Sequence, residues 1–125
     1  MQVKIDTKEK FTVITPDDER ISDKLTVQFT SLCINFLQKD IKNIILNMKY
    51  VNGIDENIAH ELPLLQEKFA ENKASFVLCE ISKELEKQLQ EYNVLDALNV
   101  VPSESEAWDI VQMDEIEREL FNDEQ

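Results

Sequence analysis

Glycine is almost missing from this chain: Gly53 is the only one in 125 residues. Gly-rich phosphate-binding loops and all-β folds both depend on several turn glycines, so neither is expected. Histidine is as scarce, with His60 alone, and no H-E-x-x-H zinc motif occurs. The two cysteines, Cys33 and Cys79, lie far apart, each inside an apolar segment. They form no paired C-x-x-C motif, and buried free thiols in a reducing cytoplasm are the expectation. Bases are few, 13 against 26 acids, which leaves a net charge of -13. So negative a surface repels phosphate backbones and anionic lipid heads, which argues against nucleic acid and membrane surfaces and favours basic protein partners. No apolar run approaches the roughly 20 residues that cross a bilayer, and Met1 to Asp6 lacks the apolar core of a secretory signal. Direct membrane insertion is therefore not expected, and the protein is placed in the cytoplasm.

What is present is a hydrophobic content of 42%, near the globular average and enough for one core. Its periodicity changes along the chain. Val3 and Ile5, then Phe11 and Val13, alternate with polar neighbours around a charged Lys8-Glu9-Lys10 turn, predicting a hairpin of two half-buried strands. Pro16-Asp17-Asp18-Glu19 breaks the pattern as a turn. Leu25, Phe29, Leu32, Cys33 and Phe36 share one helical stripe between Ser22 and about Lys39, with Ser22 or Asp23 available as a cap. Ile44-Ile45-Leu46 does not alternate, as expected of a central strand buried on both faces. The turn Tyr50-Val51-Asn52-Gly53 follows, where a left-handed or strained backbone would account for the glycine.

Ile58, Leu62, Leu65 and Phe69 predict a second helix from near Glu56 to about Asn72, bent at Pro63. Ser75-Phe76-Val77-Leu78-Cys79 reads as another buried strand. A third helix starts at a Ser82 cap and ends near a left-handed Asn93. Leu98-Asn99-Val100-Val101 makes a last strand before Pro102. Ser103 and Glu106 then form a capping box ahead of a fourth helix. That helix is expected to fray over residues 114–125, an acidic extension to a domain of residues 1–113, although Ile116, Leu120 and Phe121 could form a sticky stripe. Strands alternating with helices after a hairpin predict an α/β fold, a mixed sheet of about five strands covered by about four helices.

No catalytic constellation emerges. His60 sits beside the apolar stripe of its helix, in a surface or packing position. Neither cysteine has a neighbouring His or Lys to favour a thiolate. Asp17, Asp18 and Glu19 are crowded but lack the D-x-D-x-D-G spacing that wraps calcium, and read as a solvated turn. No cofactor or metal is expected. The segment Asn52-Gly53-Ile54-Asp55-Glu56-Asn57 differs, because it leads from the central strand straight into a helix. Two carboxylates there meet unpaired N–H groups and the positive end of the helix dipole. Asp55 as N-cap and Glu56 as an early helical acid would explain them structurally. The same turn, with Gly53, Asp55, Glu56 and Asn57, is also the candidate partner-binding site.

The stretch from Ile44 to Asp55 resembles the strand-and-turn signature of STAS domains, the anti-sigma factor antagonist family. It has an apolar strand ending in a polar residue, a short basic step, and an apolar-Asp pair. The Ser75 to Cys79 strand, the Ser82 helix start, Asn93-Val94-Leu95 and the amphipathic helix after Pro102 resemble the family in the same order. The resemblance implies a non-enzymatic module that binds a regulatory partner, an anti-sigma factor kinase. It further implies that the position of Glu56 is normally a serine or threonine, phosphorylated by that kinase to break the complex. A carboxylate cannot be phosphorylated as a hydroxyl, so no such switch is expected here. Glu56 carries one negative charge and two acceptor oxygens, against about -1.5 to -2 and three for phosphoserine. Asn57 and Ile58 also replace the small residue and glycine that often follow. Two alternatives stay open: an accessory subunit of a transport ATPase, and a homo-oligomeric (for instance dimeric) structural module.

Overall fold

The computed structural model describes residues 1–123; Glu124 and Gln125, the end of the acidic extension, lie outside the described residues. β1 (Val3–Thr7) and β2 (Thr12–Pro16) form the antiparallel hairpin, with Val3 opposite Pro16 and Thr7 opposite Thr12. The two strands do not share burial equally. β2 is buried throughout, whereas β1 is an edge strand on which Ile5 remains 48% exposed. Lys4 and Asp6 on that edge discourage pairing with another chain.

β4 (Ile44–Asn47), β6 (Phe76–Cys79) and β7 (Val100–Val101) run parallel to β2, in the order β1-β2-β4-β6-β7. β4 is central, and its unbroken apolar run serves both faces as expected. Ile44 and Leu46 pack with Phe29, Ile58, Leu62, Phe69, Leu85 and Leu89. Ile45 joins Phe11, Val13, Val77, Ala107 and Val111 in a smaller cluster. The first cluster is thus covered by α1 (Thr26–Asn35), α2 (Glu56–Glu71) and α3 (Lys83–Glu91), and the second by α4 (Glu104–Asp123) alone. This is the expected mixed sheet with four helices.

Several local features follow from single residues. α1 is shorter than its stripe, because 3₁₀ turns at Asp23–Leu25 and Phe36–Gln38 flank it. α2 continues through Pro63. The proline removes one helical hydrogen bond, while buried Ile58, Leu62, Leu65 and Phe69 hold the helix to the core on both sides of it. Ser82 Oγ accepts the Leu85 N–H at 3.1 Å, and Asn93 ends the α3 segment with φ 61°. β7 is two residues long instead of four. Leu95–Ala97 forms a 3₁₀ turn, and the Asn99 N–H is taken by Gln66 Oε1 of α2 at 2.7 Å. The Ser103 cap of α4 forms, accepting the Glu106 N–H at 3.2 Å.

Two findings depart from the periodicity. β3 (Arg20–Ile21) and β5 (Gly53–Ile54) form a second, two-stranded parallel sheet that no repeat of two residues could announce. Second, α4 crosses residue 114 and stays helical to Asp123 where fraying was expected. Its acids are not all solvated: Asp114 accepts from Ser75 Oγ at 2.7 Å, and Glu115 accepts from Asn43 Nδ2 at 2.8 Å.

Candidate functional site

β5 delivers the chain into α2, and it is held on two sides. The Glu19 carbonyl accepts the N–H groups of Asn52 and Gly53, at 2.7 and 3.1 Å, beside β3. From α3, Gln88 Oε1 accepts the Ile54 N–H at 2.8 Å, and the Tyr92 hydroxyl donates to the Ile54 carbonyl at 3.2 Å. The start of α2 therefore has little freedom.

Asp55 stands at the N-cap position with extended backbone, yet its carboxylate makes no bond to its own helix. Oδ1 accepts from Arg20 Nε at 2.9 Å and from Arg20 Nη2, and Oδ2 accepts the Asp23 N–H at 2.9 Å. The capping of α2 is done by Asp23, whose Oδ1 accepts the Ile58 N–H at 3.0 Å and whose Oδ2 accepts from Asn57 Nδ2 at 3.1 Å. The expected roles are exchanged: Asp55 serves the segment ahead of α1, and Asp23 serves α2. The Asp23 N–H, followed by the Arg20 guanidinium, holds the Asp55 carboxyl below its usual pKa, while Asp55 raises that of Arg20.

Gly53 does not have a left-handed backbone. Its reason is space: a Cβ there would lie 2.7 Å from Arg20 Nη1. Because that guanidinium is fastened to Asp55, it cannot swing away without breaking the pair. Gly53 and Asp55 thus belong to one frame with Arg20 and Asp23. Arg20 escaped the sequence reading; the only hint was a lone base after three acids, Asp17, Asp18 and Glu19.

Glu56 and Asn57 are exposed on this frame. The Glu56 side chain is 64% accessible, with His60 Nε2 3.7 Å from its Oε1 one helical turn on. The four sequence-predicted site residues are contiguous in space, but Gly53 is buried and Asp55 engaged, so that only Glu56 presents an exposed carboxylate.

The STAS domain family profile matches residues 2–107. The chain belongs to the STAS domain family. Solved structures agree with this domain in fold. A Thermotoga maritima anti-sigma factor antagonist superposes with a TM-score of 0.78 at 18% identity, over 88% of this chain and 94% of that one. RsbS from Moorella thermoacetica, with a glutamate in place of a serine, gives 0.72 at 17% identity, over 90% and 96%. The unphosphorylated anti-sigma factor antagonist SpoIIAA gives 0.70 at 15% identity, over 89% and 96%. Comparison with curated protein sequences finds no match.

Elsewhere, this STAS domain keeps its reactive groups quiet. Cys33 and Cys79 are free and buried, as expected. Burial pushes both thiols up to about 12, with Glu104 and Glu80 adding to the effect at Cys79. Among the described residues no group of His, Cys, Asp and Glu is arranged to hold a metal ion, and no helix is long and apolar enough to cross a membrane.

Proposed function

We propose that this STAS domain is a non-enzymatic interaction module, comprising residues 1–113, that docks a cytoplasmic regulatory protein at the start of α2. The partner is of the anti-sigma factor kinase type; Glu56 and Asn57 form the contact, and buried Gly53 and the engaged Asp55 hold the turn beneath them. The observation that carries this proposal is the division of labour at the turn. Arg20, Asp23, Asp55 and Gly53 fix the backbone, and the exposed carboxylate of Glu56 stands out from it. A preorganised turn loses little entropy on binding, so an exposed group there is well placed to set affinity.

Glu56 supplies a permanent negative charge at the position that a phosphorylatable hydroxyl would otherwise hold. The charge at this position is therefore fixed by sequence, and no phosphorylation there switches the docking. Co-purification of crosslinked complexes from the native cell tests the proposal. A specific partner captured by the natural chain should be lost with Glu56→Lys, by at least about tenfold. Equal capture by both chains would refute it.

A further inference from the structure

The C-terminal half of α4 is both tied down and apolar on its solvent side. The tie is a polar network at the start of β4 and β6. Asn43, 4% exposed, donates from Nδ2 to the Lys10 carbonyl and to Glu115 Oε1, both at 2.8 Å. Ser75 Oγ donates to Asp114 Oδ2 at 2.7 Å and accepts from Arg118 Nη2 at 3.0 Å. Arg118 Nη1 also reaches Glu115 Oε1 at 3.0 Å and Asn43 Oδ1 at 3.3 Å. This network turns one face of the helix to the body of the domain. Met113, Ile116 and Leu120, at spacings of three and four, fall on the opposite face and are 57%, 57% and 60% exposed. Packing in the fold does not account for three apolar side chains in that pattern, held on a fixed helix. The STAS match spans residues 2–107, and the stripe lies outside that span.

Charge decides what covers it. On this half of α4 Asp114 and Glu115 are tied into the network, Asp109, Glu117 and Glu119 are exposed, and the one base, Arg118, is already engaged. A second copy would set acids against acids, between chains of net charge -13 each. We infer that the outer face of α4 docks a basic amphipathic helix of a partner protein. Met113, Ile116 and Leu120 fill its apolar seam, and Asp109, Glu117 and Glu119 meet its flanking Lys or Arg side chains, as in helix-on-helix recognition. This surface is separate from the α2 turn, and either can fail without the other.

The test titrates the isotope-labelled full chain with two synthetic three-heptad helices, one with a Leu seam flanked by Lys, the other with the same seam flanked by Glu. The Lys-flanked helix should shift the amides of residues 109–121 and leave those of residues 53–58 unmoved. Its affinity should fall by at least about tenfold with Ile116→Ser/Leu120→Ser, and also with added salt. Glu117→Lys/Glu119→Lys, which keeps the apolar stripe, should weaken it as well. All four positions are exposed, and unchanged melting curves confirm that the variants fold. The inference is overturned if the Lys-flanked helix does not bind, binds Ile116→Ser/Leu120→Ser equally, or binds no better than the Glu-flanked one. A free chain that sediments as a dimer, and becomes monomeric with Ile116→Ser/Leu120→Ser, would also overturn it, because a second copy would then cover the stripe.

Discussion

The carboxylates of Asp23 and Asp55 each satisfy a backbone N–H of the other's segment, at Ile58 and at Asp23 itself. Helix N-termini leave unpaired donors, and a neighbouring segment can supply the acceptor as well as the N-cap residue can. The exchange joins two stretches more than 30 residues apart through hydrogen bonds that span 32 and 35 positions. It also makes the joint sensitive to acid. The Asp23 N–H and the Arg20 guanidinium hold the folded carboxyl of Asp55 below the ordinary carboxylate range of about 4. Its contribution to stability is therefore complete above that pH and is lost as pH falls through the depressed value. Denaturant midpoints of the natural chain and of Asp55→Asn should differ at pH 7 and converge as the pH is taken below about 4. The position of Asp55 at a helix start was legible in the sequence, as was that of Glu56 in the first turn. The partners of Asp55 were not, since sequence spacing carries no information about contacts between separate segments. Gly53 shows the same limit: the lack of room for a side chain there reflects Arg20, not its own φ angle.

At the scale of elements, apolar periodicity located all four helices and the five strands of the main sheet. It failed where a strand is too short for any period, as in β3 and β5, and where polar bonds replace burial, as in the last turns of α4. The tail's acids looked like a solvated, fraying end because their partners, Asn43 and Ser75, lie on strands distant in sequence. Arg118 is the centre of that attachment, with bonds to Ser75, Asn43 and Glu115. Replacing Arg118 by Ala should cost about 1–2 kcal/mol. Amide exchange should quicken over residues 114–121 and stay slow over 107–111, where Ala107 and Val111 remain packed on the sheet. Uniform loss of protection along α4 would contradict this separation.

At the scale of the whole molecule, three helices cover one face of the sheet and a single, longer one covers the other. The entry to α2 is braced from both the auxiliary sheet and α3, so the domain offers a stiff, acidic turn instead of an adaptable loop. A net charge of -13 keeps the chain soluble and speeds encounter with basic surfaces without choosing among them. Choice requires a defined contact, and the proposed one lies at Glu56 and Asn57. The most direct measurement places a photo-crosslinking amino acid at Asn57 and, as a reference, at exposed Lys68 near the other end of α2, in the native cell. A specific partner should be crosslinked from position 57 and not from position 68. Crosslinks to that partner from position 68 alone would contradict docking at the start of α2.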